Sequence, residues 1–141
     1  MRQTVRFASL LVVVIAAVLV PATALSSHGP STVKFKMVEW DIIPLNATKS
    51  HTPVGKVTFV VRNAGKLEHE FVVIRTNKAA GQLAATGAKD APEKGVMGEI
   101  EEVPPGATKR LALALKKGHY ALICNLTGHW SKGQFVDFYI H

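Results

Sequence analysis

The chain has 141 residues, a formal net charge of +7 from 17 Lys+Arg against 10 Asp+Glu, and one cysteine, Cys124. The basic residues, among them Lys34, Lys36, Lys56, Arg62, Lys109, Arg110, Lys116 and Lys117, recur with the period of a strand's solvent face. Only two tryptophans and two tyrosines accompany them. That pattern gives no support to a nucleic-acid surface and licenses only a mild preference for acidic partners.

Arg2 and Arg6 open a short positive segment, Phe7 to Val20 is apolar apart from Ser9, and Pro21 and Ala22-Thr23-Ala24 supply a break and a small-x-small cleavage pattern. These are the marks of an export signal over residues 1–24. The apolar run of 14 residues is short of the roughly 20 that a membrane-crossing helix needs, and a retained N-terminal anchor is the alternative. No second apolar stretch is long enough to span a membrane. A lone cysteine in an exported chain cannot close an internal disulfide. Cys124 is then a free thiol, an intermolecular bridge or a metal ligand, and because oxidising compartments punish free thiols the last gains weight.

Residues 25–32 (LSSHGPST) read as a flexible lead-in, and residues 33–141 as one domain. Val33 to Trp40 alternates apolar and charged side chains, as does Lys56 to Arg62, which stops at Asn63-Ala64-Gly65. Further strands are expected over His69 to Arg75, Glu99 to Val103, Thr108 to Leu115, Tyr120 to Cys124 and Phe135 to Ile140. Asn77 to Gly95, rich in Ala, Gly and Lys, reads as a long loop with at most a short helix and carries no chemistry of its own. Short strands at this spacing, punctuated by Gly and Pro, predict an all-β sandwich.

The chemistry concentrates in Cys124-Asn-Leu-Thr-Gly-His129-Trp-Ser-Lys-Gly-Gln134, where three possible donors recur every five residues. A loop that leaves one strand at Cys124 and enters the next near Phe135 can fold its donors together, and Gly128 and Gly133 permit the tight turns this needs. His69, opening a strand after Asn63-Ala64-Gly65, is placed like Cys124 at a strand end and supplies a fourth donor. Two imidazoles and one thiolate with a weak axial donor are a blue-copper combination, in which thiolate favours Cu(I) and imidazole serves both oxidation states. Met37 and Met97 are the other candidates for the axial position. Trp130 either shapes an apolar patch beside His129 or packs the loop. His28, His51, His119 and His141 lack spacing partners and read as surface residues.

With the upstream His69, the run Gly118-His119-Tyr120-x-x-x-Cys124 and Cys124-x4-His129-x4-Gln134, the chain resembles the cupredoxins. The resemblance covers His69 to His141, and the earlier strands in pattern only. It implies a Greek-key β-sandwich of seven or eight strands. It also implies one copper ion held by His69, Cys124, His129 and Gln134, cycling between Cu(I) and Cu(II). Many relatives have methionine where Gln134 stands, while stellacyanin-like members use glutamine. Several relatives have asparagine, tying the two ligand loops together, where this chain has Glu70.

The expected function is one-electron transfer between redox proteins outside the cytoplasm, periplasmic or extracellular. The carrier would be a non-enzymatic monomer whose partners offer acidic docking patches, with no membrane span in the mature form. The electron would pass through the His129 ring edge, and backbone amides near Asn125 and Glu70 would donate to the sulfur and tune it. A copper carrier or storage protein is the runner-up, although no Met-rich or His-rich tail is present. A catalytic copper site and a structural zinc module are further alternatives.

Overall fold

The computed structural model describes residues 29–46 and 52–141. The expected export signal at 1–24 lies outside the described residues, as do His28 and His51. The strands are β1 (Ser31–Val38), β2 (Asp41–Pro44), β3 (Gly55–Asn63), β4 (His69–Arg75), β5 (Val96–Val103), β6 (Thr108–Leu115), β7 (Gly118–Ile123) and β8 (Phe135–Ile140). They form two four-stranded sheets, ordered β2-β1-β3-β6 and β5-β4-β7-β8. β1 and β3 run parallel, and the other neighbours are antiparallel. The chain changes sheet between β3 and β4, between β5 and β6 and between β6 and β7, which gives the Greek-key type of sandwich. Two 3-10 turns, Ala80–Gln82 and Trp130–Lys132, are the helical elements among the described residues. None is long and apolar enough to cross a membrane.

Alternation builds the core. β1 turns Val33, Phe35 and Met37 inward, β3 turns Val57, Phe59 and Val61 inward, and β4 adds Phe71 and Val73. Phe35, Phe59, Phe71 and Phe138 meet with ring centroids 5.6 to 6.2 Å apart, a range in which tilted and edge-on aromatic contacts are favourable. Leu111 and Leu113 pack only partly buried, because β6 is an edge strand, while Leu115 is buried.

A second cluster lies on the outer face of the β5-β4-β7-β8 sheet. Val72, Ile74, Ala121 and Ile123 are buried there beneath Ala80, Leu83, Ala91 and Trp130. This explains why β4 and β7 read as unbroken apolar runs: both faces of the two central strands are covered. The segment expected to be a plain loop between Asn77 and Gly95 is that cover.

Several observed boundaries differ from the sequence expectation, β1 among them, which ends at Val38 rather than Trp40. Ser31 and Thr32, assigned above to the lead-in, already pair with Val57 and Thr58. β2 was not anticipated, being four residues long and ending in Pro44. As the outermost strand it tolerates a proline that donates nothing to the ladder. β5 begins at Val96 rather than Glu99, and Cys124 lies one residue beyond β7.

Candidate metal centre

Cys124 and Gln134 face each other where β7 ends and β8 begins, and the Cys124 N–H donates to the Gln134 carbonyl at 3.0 Å. That bond closes the base of the 125–133 loop. Inside it, His129 N–H donates to Leu126 O at 2.8 Å and Gly133 N–H to Trp130 O at 3.0 Å. Gly128 and Gly133 take φ of 82° and 104°, left-handed conformations in which a Cβ is strained. The loop folds back on itself as its glycines predict, and it presents His129 between the two ends.

His69 arrives from the other ligand segment as the first residue of β4. Its approach is fixed by Asn63, a fully buried amide. Asn63 Nδ2 donates to Leu67 O and to Val103 O, both at 2.7 Å, and its Oδ1 accepts from Gly65 N–H at 2.8 Å. The Asn63-Ala64-Gly65 run, read above as a turn, thus also anchors the segment that delivers His69.

Ligand-type atoms of His69, Cys124 and His129 all lie within 4.8 Å of one another. Cys124 Sγ is 3.3 Å from His129 Nδ1. The Gln134 amide sits between the two imidazoles, with Oε1 3.0 Å from His129 Nδ1 and Nε2 3.1 Å from His69 Nδ1. Gln134 Nε2 also donates to Val38 O at 2.8 Å, which fixes which end of the amide is which. His69, Cys124 and Gln134 are fully buried and His129 is half-buried. Neither methionine alternative competes: Met37 packs in the main core, and Met97 is 40% exposed.

The sulfur is held by backbone donors. Glu70 N–H points at Cys124 Sγ across 3.3 Å, and the Leu126 N–H is the second donor. The two amides lie where expected, one at Glu70 and one beside Asn125. The Asn125 N–H instead faces the Glu70 carboxylate, so a tie between the two ligand loops exists with glutamate in place of asparagine. Asn125 also binds the covering segment, accepting from Ala91 N–H at 2.8 Å and donating to Ala91 O at 3.1 Å.

Burial dominates the electrostatics. It pushes the Cys124 thiol upward, against the two backbone donors, and it pushes His69 downward, aided by repulsion from His129. Cys124 and His69 therefore favour neutrality, and His69 Nε2 is buried without a partner. A cation among these donors reverses that balance, because a coordinating thiol is deprotonated outright. A first-row ion at about 2.0–2.3 Å from each donor suits a cluster of this spread. Two ring nitrogens, one sulfur and one amide oxygen match the copper preference for a trigonal set of two imidazoles and a thiolate with a weak axial ligand. The residues fit one copper ion.

The β1–β2 turn touches this cluster at three points, none of them expected from sequence. Val38 O receives Gln134. The Glu39 carboxylate accepts from the Lys66 and Leu67 N–H groups just before His69. Trp40 packs edge-to-face on His129 with ring centroids 5.2 Å apart and planes at 83°. Trp40 has φ of 69°, and no other non-glycine residue described has a positive value. Residues 39–41 carry no Gly, Asn or Pro to announce such a turn. One open alternative is decided and one expectation changes. Trp130 packs the loop, being buried with Nε1 donating to Ala80 O at 2.8 Å. His119 is not a solvated histidine: its side chain is 13% exposed, and its ring nitrogens contact Asp137 at 2.8 Å and Thr76 O at 3.0 Å.

No protein-family model and no curated sequence matches the chain. Solved structures do. Auracyanin A, a "blue" copper protein from Chloroflexus aurantiacus, is 19% identical with a TM-score of 0.59, over 80% of this chain and 100% of that one. The reduced auracyanin of Roseiflexus castenholzii is 15% identical with a TM-score of 0.59, over 79% and 97%. The fold is that of the cupredoxins. A rusticyanin variant with a methionine-to-glutamine replacement, 16% identical over 82% of this chain and 80% of that one with a TM-score of 0.59, shares it. Within this cupredoxin fold the His69, Cys124 and His129 cluster is a candidate site for one copper ion.

Proposed function

We propose that this chain binds one copper ion through Cys124 Sγ and ring nitrogens of His69 and His129, with Gln134 Oε1 as a weak axial donor. In this reading it carries single electrons between redox proteins outside the cytoplasm. The observation that carries the reading is the convergence of buried His69 and Cys124 with half-buried His129, around a sulfur held by two backbone N–H groups. That auracyanin A, of the same fold, is a blue copper protein supports it.

A bound copper ion would supply a one-electron couple. The chain's part is to keep the donors still as the ion's charge changes. Glu70 and Leu126 N–H hold the sulfur, Val38 O holds the Gln134 amide, and Asn63 holds the approach to His69. Ligands fixed in this way move little between oxidation states, which favours fast transfer. The half-buried His129 is the way out of the centre. Export would follow from the signal pattern over residues 1–24, to a periplasmic or extracellular site. The basic balance, +5 once Arg2 and Arg6 leave with the signal, suits partners with acidic docking patches, met by a monomer.

Electron self-exchange between copper-loaded molecules, measured beside copper transfer to a chelator, tests this reading. An electron carrier exchanges electrons rapidly and retains its metal. A copper carrier or storage protein, the second reading, yields copper readily and exchanges electrons slowly.

A further inference from the structure

We propose that Trp40 is the port through which this centre exchanges electrons, extending the route one ring beyond His129. The inference rests on the copper electron-transfer reading and concerns the path rather than the metal.

Three observations converge on Trp40. Its indole packs edge-to-face on the His129 imidazole at 5.2 Å between centroids, and His129 is the half-buried member of the donor set. Trp40 is itself half-buried, and the ammonium of exposed Lys132 lies 3.9 Å from its ring centroid. The indole therefore stands in a series of contacts from donor residue to surface cation. The third observation is its backbone. Val38 pairs with Asp41 across the turn, and Trp40 takes a φ of 69° that a bulky residue adopts only at a cost. Strain of this kind persists where the surroundings over-determine it, and it collects at functional sites. A glycine would make the same turn without strain, but it would leave His129 without an aromatic neighbour on that side.

The step is a single tunnelling event. One electron leaves the reduced centre by way of the His129 and Trp40 rings and enters a one-electron acceptor. No bond forms or breaks, no proton moves, and Trp40 is not itself oxidised. A partner would meet the indole and the Lys132 charge rather than a bare imidazole edge. Trp40 meets the donor set at the His129 ring, so its part is positioning and coupling.

Trp40→Leu and Trp40→Phe in the copper-loaded full chain separate coupling from packing. Both replacements keep apolar bulk and the same backbone demand, but only Phe keeps a π-system. Trp40→Leu is expected to slow self-exchange by about tenfold or more, one decade being one RT ln 10 of barrier. The visible band should stay in place, and Trp40→Phe should restore most of the rate. Wild-type rates in Trp40→Leu, equal slowing in both variants, or loss of the band in Trp40→Leu would each overturn the proposal. Lys132→Glu, which changes an exposed side chain beside the indole, gives a second test. Oxidation of the reduced protein by ferricyanide should slow and oxidation by tris(phenanthroline)cobalt(III) should quicken; unchanged rates with both would overturn it. A wild-type protein with an intact band and no detectable self-exchange would instead remove the electron-transfer reading beneath it.

Discussion

Gln134 donates from Nε2 to the carbonyl of Val38 at 2.8 Å, although the two residues are 96 positions apart. The bond joins the ends of the domain and turns Gln134 Oε1 toward His129 Nδ1. An amide oxygen is a harder donor than a thioether and favours Cu(II). Gln134→Met should therefore raise the reduction potential by about one to two decades of relative stability, each worth about 59 mV for one electron. The visible band should persist with altered intensity. Voltammetry checks the shift, and an unchanged potential and spectrum would mean that Gln134 does not bind.

Metal removal should leave the protein folded. The core of Phe35, Phe59, Phe71, Phe138 and their aliphatic neighbours is complete without an ion, and each fully buried side chain contributes roughly 1.5–3 kcal/mol before entropy. The metal-free protein should keep β-type circular dichroism and melt cooperatively, at a lower temperature than the loaded form. An unfolded metal-free state would point to a structural-metal module.

Asn63→Ala should cost stability and metal affinity together. The buried amide serves two carbonyls and one N–H at 2.7–2.8 Å, and leaving buried partners unsatisfied costs about 1–3 kcal/mol. Urea unfolding of the metal-free variant measures that loss. The loosened His69 approach should weaken copper binding by roughly 10–100-fold, as loss of a ligand-supporting contact does elsewhere; competition with a chelator measures it.

Glu39 should impose an acid limb on stability. The Lys66 backbone N–H, followed by the Glu39 and Leu67 N–H groups, holds its carboxyl below the usual carboxylate range. A group whose folded value is depressed stabilises the protein above the unfolded value, and that stability is lost as pH falls through the folded one. In the wild type, the urea midpoint should drop as pH descends through the carboxylate range. Glu39→Gln, which cannot ionise, should lower the midpoint at neutral pH and flatten part of that descent. Parallel pH profiles for the two proteins would contradict this account of Glu39.

Much of this centre was legible because its signals are local. The Cys124-x4-His129-x4-Gln134 spacing lies in one loop, the glycines that fold the loop lie beside the donors, and His69 follows a turn sequence. β4, β6 and β8 were likewise legible, since turn residues precede each of them and β6 alternates. What escaped depends on the tertiary structure. β2 is too short to carry a period, and its turn places Trp40 where a glycine would be expected. The cover over Val72 and Ile74 was hidden because an Ala-rich irregular segment has no pattern that announces the face it buries.

The central claim is that Cys124 Sγ binds copper within the His69, Cys124 and His129 cluster, and visible absorption of the Cu(II)-loaded protein tests it most directly. The wild type should show an intense thiolate-to-copper charge-transfer band at one copper per chain. Cys124→Ser, which leaves His69, His129 and Gln134 in place, should abolish it. A band that survives in Cys124→Ser, or a wild type that binds copper without one, would contradict the assignment.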